Sequence, residues 1–145
     1  MENKMKLIFL SKSANEAFAR TAVAAFVTQL DPTLEELADI KTAVSEAVTN
    51  AIVHGYAHAP GEITIDCFLS ADKTATIIIM DQGQGIEDVS IAVQPLYTNS
   101  NDTERSGMGF TIMETFMDSM NISSSPGQGT TVTLTKKIDG NSHKH

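Results

Sequence analysis

The sequence predicts an α+β fold: a two-layer sandwich in which helices cover one face of a mixed, mostly antiparallel sheet. Two pairs of β-rich segments, each joined by a short turn, favour antiparallel pairing of consecutive strands. Three helical segments carry a single apolar stripe, which must be buried against another layer. A chain of 145 residues with 41% hydrophobic residues can form one such core. We therefore expect one domain over residues 1–138 and a disordered polar tail at 139–145.

The first segment of the chain is predicted to form a strand followed by a helix. Residues 6–11 are a short apolar run, which is typical of a strand. Ser13 and Glu16 have the spacing of a capping box, so we expect a helix to begin there and to run to about residue 30. Its apolar residues recur at helical spacing: Phe18, Ala22, Ala25, Phe26 and Leu30.

A second, longer helix is predicted between residues 31 and 55. Asp31 is a residue type favoured at the N-cap, and Pro32 is favoured at the first helical position. Gly55 is suited to end the helix. The side of this helix that we expect to face the core carries Val44, Ala47, Val48, Ala51 and Ile52.

The second half of the chain alternates strand pairs with one helix. Residues 62–70 and 74–80 are rich in β-formers and predict a hairpin. Residues 91–106 show no strong periodicity, and so long a connection inside a compact domain is usually functional or mobile. Residues 107–120 return to helical spacing. A final pair of strands follows, joined by the turn at 126–129.

Composition limits the classes of partner. The net charge of −8 repels a phosphate backbone, which argues against direct binding of nucleic acid and leaves a basic or amphipathic partner. Cys67 is the sole cysteine, so an internal disulfide and a cysteine-rich metal site are excluded. No apolar run has the length of a membrane span, and none resembles a signal peptide. We expect a cytoplasmic protein that does not bind membranes.

Three polar residues align on the second helix. Glu46, Asn50 and His54 are spaced four apart, and a helix turns about 100° per residue, so the three share one edge beside the apolar side. A solvated helix face would explain the alignment equally well. A site that uses an oxygen ligand for Mg²⁺ and a carboxylate that accepts a hydroxyl proton would also explain it.

Two glycine-containing segments add to this pattern. Asp81 follows an apolar strand and precedes Gly83 and Gly85, so its carboxylate is expected to be partly buried and to need a hydrogen-bond donor. The exocyclic amine of a purine would be such a donor, although an ordinary turn after a strand has the same sequence. Gly107 and Gly109 precede a helix whose N-terminus could bind an anion, or they could simply help the helix to start.

Four motifs in this order resemble the GHKL ATPase superfamily. They are "EAVTNAIVHG", "DQGQGI", "RSGMGF" and "GTT", and together they cover nearly the whole chain. The form E-x-x-x-N-A-x-x-H of the first motif is similar to that of the bacterial anti-sigma serine kinases, in particular those of sporulation. The resemblance implies the Bergerat fold of this superfamily, with ATP or ADP and Mg²⁺ as cofactors.

The resemblance also implies roles for single residues. Glu46 would be the general base that takes the proton of a serine hydroxyl, and Asn50 would ligate the Mg²⁺ that bridges the ATP phosphates. His54 occupies the position of a histidine in the family, close to the nucleotide, and its role stays open. Asp81 would accept the adenine amine, with Thr130 nearby. The adenine pocket would be shaped by Gly83, Gly85 and Ile86.

The phosphate side of the site is expected around the long loop and the third helix. Residues 96–106, which include Thr98, would form a lid over ATP. The triphosphate would be held by Arg105, Ser106, Gly107, Met108, Gly109 and Phe110.

The family implies two protein partners and a reaction. The chain is expected to bind and inhibit a sporulation sigma factor of the sigma F type, and to phosphorylate a serine of an anti-sigma factor antagonist, working as a homodimer. Glu16 and Arg20 would form either a surface ion pair or a partner-binding edge. The alternative function is a nucleotide-gated sigma-binding module without significant kinase activity. A detached histidine kinase domain fits less well, because the first motif lacks the second asparagine usual there.

Overall fold

A computed structural model of the chain describes residues 2–85 and 108–140. Within these ranges five strands form one sheet in the order β1-β2-β3-β5-β4, and every described pairing is antiparallel. The strands are β1 (Asn3–Leu10), β2 (Glu62–Leu69), β3 (Thr74–Asp81), β4 (Ser119–Ser124) and β5 (Thr130–Lys137). The α-helices are α1 (Ala14–Val27), α2 (Leu34–Asn50) and α3 (Met108–Phe116). The order of elements is the predicted one, and the fold is the predicted α+β sandwich.

One face of the sheet forms the core with the helices. Buried and less buried residues alternate along β2, β3 and β5, as expected for strands with one covered face. Two apolar rows cross all five strands through directly paired residues, and one of them runs through Leu7, Ile65, Ile79, Val132 and Ile122. Full burial of a side chain, as at Ile65, contributes on the order of 1.5–3 kcal/mol. The residues predicted for the core side of α2 are all buried in the same cluster.

Helix α2 starts two residues later than predicted. Its N-cap is Thr33, whose hydroxyl accepts from the Glu36 N–H at 3.0 Å while the Glu36 carboxylate accepts from the Thr33 N–H at 2.8 Å. This reciprocal pair is a complete capping box. Asp31, the predicted cap, adopts left-handed backbone angles with φ of 55° and lies in the preceding turn. The capping box prevails because it satisfies two backbone groups, whereas an N-cap Asp31 satisfies one.

The capping box predicted for α1 does not form. Ser13 makes no capping hydrogen bond with its side chain. The carboxylate of Glu16 accepts instead from Arg20, one turn along the same helix, and from the hydroxyl of Ser45 on α2 at 2.7 Å. A contact with a neighbouring helix has therefore replaced a local one, and it fixes α1 against α2.

Helix α3 is shorter than predicted. It ends at Phe116, and β4 begins at Ser119, so Met120 lies in a strand rather than in the last turn of a helix. Met120 still packs against the core, as Met113 and Met117 do. Met120 continues the helical spacing of the core methionines although it lies in a strand. The spacing therefore did not show that the helix ends at Phe116.

The end of the domain is held by Glu36. Its carboxylate accepts from the backbone N–H of Asp139 at 2.8 Å and of Gly140 at 3.1 Å. These two residues were assigned to the polar tail, and residues 141–145 lie outside the described range. In the described part of the chain, no helix is long and apolar enough to cross a membrane.

Candidate nucleotide-binding site

Helix α2 brings Glu46 and Asn50 to the start of α3. A Cβ atom placed on Gly109 would lie 3.0 Å from Nδ2 and 3.2 Å from Oδ1 of Asn50, and 3.4 Å from Oε2 of Glu46. Gly109 is thus the point where a carboxylate, an amide and a helix N-terminus meet. Both polar side chains are half-buried. The first and third motifs therefore lie side by side in the fold.

The regular α-helix that carries Glu46 and Asn50 ends before His54. It gives way to a single π-turn over Ala51–Gly55, in which the Tyr56 N–H donates to the Ala51 carbonyl at 2.9 Å. His54 lies within this π-turn, which the α-helical spacing did not predict. Its alignment with Glu46 and Asn50 stays a prediction.

Asp81 is a buried carboxylate at the end of β3. It is 7% exposed, and its Oδ1 accepts from the Gly83 N–H at 2.9 Å. Burial raises the pKa of this carboxyl group, and hydrogen bonds from the backbone of Gly83 and Thr130 oppose the rise. A carboxylate held in this way gains from a further donor, and an amine on a planar ring is one candidate. The sequence-based expectation of a partly buried Asp81 is confirmed.

The turn after Asp81 lies against the end of the π-turn. A Cβ atom on Gly83 would collide with the carbonyl oxygen of Gly55, so no other residue fits there without moving one backbone segment. The Gln84 N–H donates to that same carbonyl at 2.7 Å, and the Gln84 side-chain amide donates to the carbonyl of His54. His54 therefore contacts this turn through its backbone. Gly83 serves here to allow close packing of two chain segments.

Thr130 lies beside Asp81 in the sheet. The two residues are direct partners in the pairing of β3 with β5. Thr130 is 8% exposed, and its hydroxyl shares a hydrogen bond of 2.9 Å with the hydroxyl of Ser124. The expected neighbourhood of Asp81 and Thr130 is thus a consequence of strand order. Gly85, with φ of 77°, packs against Ser125 in the turn between β4 and β5.

Several predicted site residues cannot be placed. Ile86, Thr98, Arg105, Ser106 and Gly107 lie outside the described residues, as does the whole predicted lid. Met108 begins α3, but its side chain is also outside the described part. Phe110 is 8% exposed and belongs to the core cluster. Its side chain therefore packs inside the domain, which leaves only its backbone for contact with a phosphate.

Two residues of this region were not identified from the sequence. Tyr56 and Gln84 both make hydrogen bonds that join the π-turn to the segment after β3. Tyr56 directly follows the first motif and Gln84 lies inside the second, but a single tyrosine or glutamine beside a glycine carries no distinctive signal. Only the structure shows that Tyr56 and Gln84 connect the π-turn to the segment after β3.

The predicted Mg²⁺ site has one ligand among the described residues. The described residues contain no group of three or more histidine, cysteine, aspartate or glutamate side chains that could hold a metal ion. Asn50 offers an amide oxygen, which is a suitable ligand for Mg²⁺ when phosphate oxygens and water complete the shell.

Comparison with known proteins agrees with this geometry. The chain matches the histidine kinase-like ATPase domain family over residues 9–136. It is 61% identical over 136 residues to a Thermoanaerobacter sp. protein named anti-sigma F factor, with 94% of each chain covered. The chain belongs to the histidine kinase-like ATPase domain family. A protein of the same name from Caldanaerobacter subterraneus is 60% identical over 139 residues, with 96% of each chain covered.

Solved structures support the fold. A structure of the RsbU and RsbW domains of a Mycobacterium tuberculosis protein superposes with a TM-score of 0.69 at 22% identity, covering 94% of this chain and 32% of that one. The histidine kinase domain of a blue-light activated kinase from Erythrobacter litoralis gives a TM-score of 0.56 at 17% identity, covering 85% and 61%. Membership of an ATPase domain family implies nucleotide binding, and Asp81, Asn50 and Glu46 are the described residues suited to it.

Proposed function

We propose that the chain is an anti-sigma factor and a protein serine kinase. It would bind and inhibit a sporulation sigma factor of the sigma F type, and use Mg-ATP to phosphorylate a serine of an anti-sigma factor antagonist. The relatives named anti-sigma F factor support the regulatory part. The observation that carries the enzymatic part is the meeting of Glu46 and Asn50 at Gly109, where α3 begins. Under this proposal the chain acts in the cytoplasm.

The chemistry needs few groups. Phosphoryl transfer depends mainly on positioning and on neutralising charge, which Mg²⁺ supplies on the phosphate oxygens when it is bound. Asn50 would hold that ion, and the N-terminus of α3 would present backbone N–H groups to phosphate. Glu46, on the same edge of α2, would accept the proton of the substrate serine. Asp81 would accept the adenine amine at the other end of the nucleotide.

The alternative is a nucleotide-gated sigma-binding module without significant kinase activity. It uses the same pocket, but it has no need for a carboxylate beside the metal ligand. Glu46 therefore distinguishes the two functions, since only the kinase uses its charge. The half-buried position of Glu46 next to Asn50 favours the kinase.

The test uses the full chain, Mg-ATP and the purified antagonist. Phosphoserine should form on the antagonist with the unaltered chain. Glu46→Gln keeps the side chain's shape and should bind ATP with unchanged affinity, while transfer falls by about a hundredfold or more, in line with loss of a general base. Full transfer by this variant would exclude Glu46 as the base. No transfer by the unaltered chain, with ATP binding intact, would favour the binding module.

The partner edge proposed for Glu16 and Arg20 has a defined geometry. Arg20 donates to Glu16 at 2.8 Å, and its side chain is 38% exposed, so its guanidinium can still reach a carboxylate of a partner. We expect Arg20→Ala to weaken binding of sigma factor or antagonist while leaving ATP affinity unchanged. Lys41→Ala, an exposed charge removal on α2, serves as the control. If Arg20→Ala and Lys41→Ala changed partner binding equally, the Glu16–Arg20 pair would be an ordinary surface ion pair with no role in binding.

A homodimer is supported by the sheet face opposite the core. Among the described residues no helix covers this face, and it exposes Ile8, Leu10 and Phe68 by 55%, 47% and 40%. Phe68 pairs with Lys4 and so lies apart from the other two on this face. Exposed apolar side chains on an uncovered sheet face are typical of interfaces. Ile8→Lys should lower the mass measured by sedimentation to that of one chain. Leu34→Lys, at an apolar residue on α2 that is even more exposed, should not change the mass. A monomeric unaltered chain would contradict the proposal.

A further inference from the structure

Tyr56 joins the two segments that frame Asp81. Its hydroxyl donates to the carbonyl of Glu62 at 2.5 Å and accepts from the N–H of Gln82 at 2.8 Å. Glu62 is the first residue of β2, and Gln82 directly follows Asp81 at the end of β3. One hydroxyl thus bridges two neighbouring strand ends at the point where the candidate base-recognition residue stands.

The ring of Tyr56 is held in place independently of its hydroxyl. It lies against Gly61, where a Cβ atom would collide with the ring. Its backbone N–H closes the π-turn by donating to Ala51. Removal of the hydroxyl alone should therefore leave the ring and the π-turn where they are. This makes the role of the hydroxyl separable from the packing of the side chain.

The orientation of the Asp81 carboxylate depends on the segment that Tyr56 holds. The Gly83 N–H donates to Oδ1 of Asp81, and Gln82 lies between them. If the Gln82 N–H loses its acceptor, the peptide units on both sides of it gain rotational freedom. The Gly83 N–H would then aim less well at the carboxylate, which is free to choose other rotamers.

We propose that Tyr56 is a positioning residue for base recognition: its hydroxyl clamps the backbone at Gln82 and so directs the carboxylate of Asp81 toward the exocyclic amine of a purine base. The inference rests on the proposed role of Asp81 as the acceptor of that amine. Tyr56 itself needs no contact with the nucleotide. It acts on selectivity between bases and not on the phosphates.

The test compares two nucleotides that differ at this amine. Inosine triphosphate carries a carbonyl oxygen where ATP has the amine, while sugar and phosphates are the same. Dissociation constants of both are measured by calorimetry for the unaltered full chain and for Tyr56→Phe. The variant should bind ATP about three- to tenfold more weakly, which is the scale of one lost hydrogen bond, and inosine triphosphate within about twofold of the unaltered chain. Equal losses for the two nucleotides, or no loss, would overturn the inference.

A matched control removes a hydroxyl from the other end of the same strand pair. Ser70 follows β2, and its hydroxyl bonds the backbone of Thr74 at the start of β3. Ser70→Ala should leave the ratio of the two dissociation constants unchanged. Amide hydrogen exchange without nucleotide gives a second measurement. Tyr56→Phe should speed exchange at Gln82 and Gly83 while the core strands keep their protection.

Asp81→Asn separates failure of the inference from failure of the proposed base recognition. An amide at this position can donate to the carbonyl of inosine triphosphate, so the variant should lose affinity for ATP and gain relative affinity for inosine triphosphate. If that ratio does not change, Asp81 does not read the amine, and the role of Tyr56 falls with it. If the ratio changes for Asp81→Asn but not for Tyr56→Phe, only the role of Tyr56 is refuted.

Discussion

A Cβ atom on Gly55 would lie 2.9 Å from Oδ1 of Asp81, so the end of the π-turn and the end of β3 meet with no room for a side chain. The same continuous helical segment carries Glu46 and Asn50 two and one turns earlier. The carboxylate suited to a purine base therefore packs against the same helical segment that carries the groups suited to phosphate and metal. Small movements at Gly55 would alter both ends of the candidate site together.

The charge of Asp81 should cost folding stability at neutral pH. Burial raises the pKa of this carboxyl group in the folded state above its unfolded value, which is about 3.9. The folded state thus binds the proton more tightly, and the free energy of unfolding falls as the pH rises through the interval between the two pKa values. Asn at this position does not titrate, so the free energy of unfolding of Asp81→Asn should not show this fall. Relative to the unaltered chain, the variant should therefore become more stable as the pH rises from acid to neutral. Urea unfolding at several pH values measures it, and a constant difference would contradict the prediction.

Two glycines of the β4–β5 turn should differ sharply in their tolerance of alanine. Gly127 and Gly129 have similar positive φ angles, 76° and 80°. A Cβ on Gly127 has nothing within 4 Å, whereas one on Gly129 would collide with the carbonyl oxygen of Asp81. Gly127→Ala should therefore cost only the backbone strain of about 1 kcal/mol. Gly129→Ala should cost clearly more and weaken nucleotide binding, as urea unfolding and calorimetry would measure. If both changes lowered stability and nucleotide affinity by similar amounts, the backbone of the turn would be able to move away from the added Cβ atom at low cost.

Glu36 should stabilise the fold more strongly than its neighbour on the same helical turn. It caps α2 and binds the backbone of Asp139 and Gly140, so Glu36→Ala should lower the free energy of unfolding by about 1–3 kcal/mol. Glu35→Ala, at an exposed position, is the control and should change it by less than about 0.5 kcal/mol. Thermal and urea unfolding measure both variants. Equal losses of stability would show that the hydrogen bonds from Asp139 and Gly140 to Glu36 do not stabilise the fold.

The contribution of Glu36 to the free energy of unfolding should also depend on pH, in the opposite sense to that of Asp81. Burial acts to raise the pKa of Glu36, but hydrogen bonds from Thr33, Asp139 and Gly140 outweigh it and lower the pKa. The stabilisation is therefore complete above the unfolded pKa of about 4.3 and is lost as the pH falls through the folded value. The difference between Glu36→Ala and the unaltered chain should shrink on acidification. A difference that grows would refute this assignment.

Cys67 should report on unfolding. It is fully buried on β2, and burial raises the pKa of its thiol to about 12. The thiolate is the reactive form, so iodoacetamide should modify the folded chain only at the rate at which it opens. A Cys67→Ala, Lys41→Cys chain moves the thiol to an exposed position on α2 and should react quickly. Fast modification of the native Cys67 under folding conditions would show local opening of the sheet.

Local sequence signals were reliable where one interaction dominated. The hairpin of β2 and β3, the order of elements and the buried side of α2 follow from alternation and helical spacing. The signals failed where two interactions competed for one group. Glu16 could cap α1, but Arg20 and Ser45 take its carboxylate. Asp31 could cap α2, but the reciprocal pair of Thr33 and Glu36 prevails.

By itself, the sequence determined which segments form strands and helices, the buried side of α2 and the order of the motifs along the chain. The stripe predicted for α1 was wrong: Phe18 is 52% exposed, and the buried side of that helix carries Ala19, Val23 and Val27. The tertiary structure alone decided the strand order β1-β2-β3-β5-β4, which makes Thr130 the partner of Asp81, and the packing that brings Gly109 against Asn50. It also decided that His54 lies in a π-turn and not in a regular α-helix. Periodicity reflects burial within one segment, whereas these contacts depend on hydrogen bonds and close packing between segments far apart in the chain.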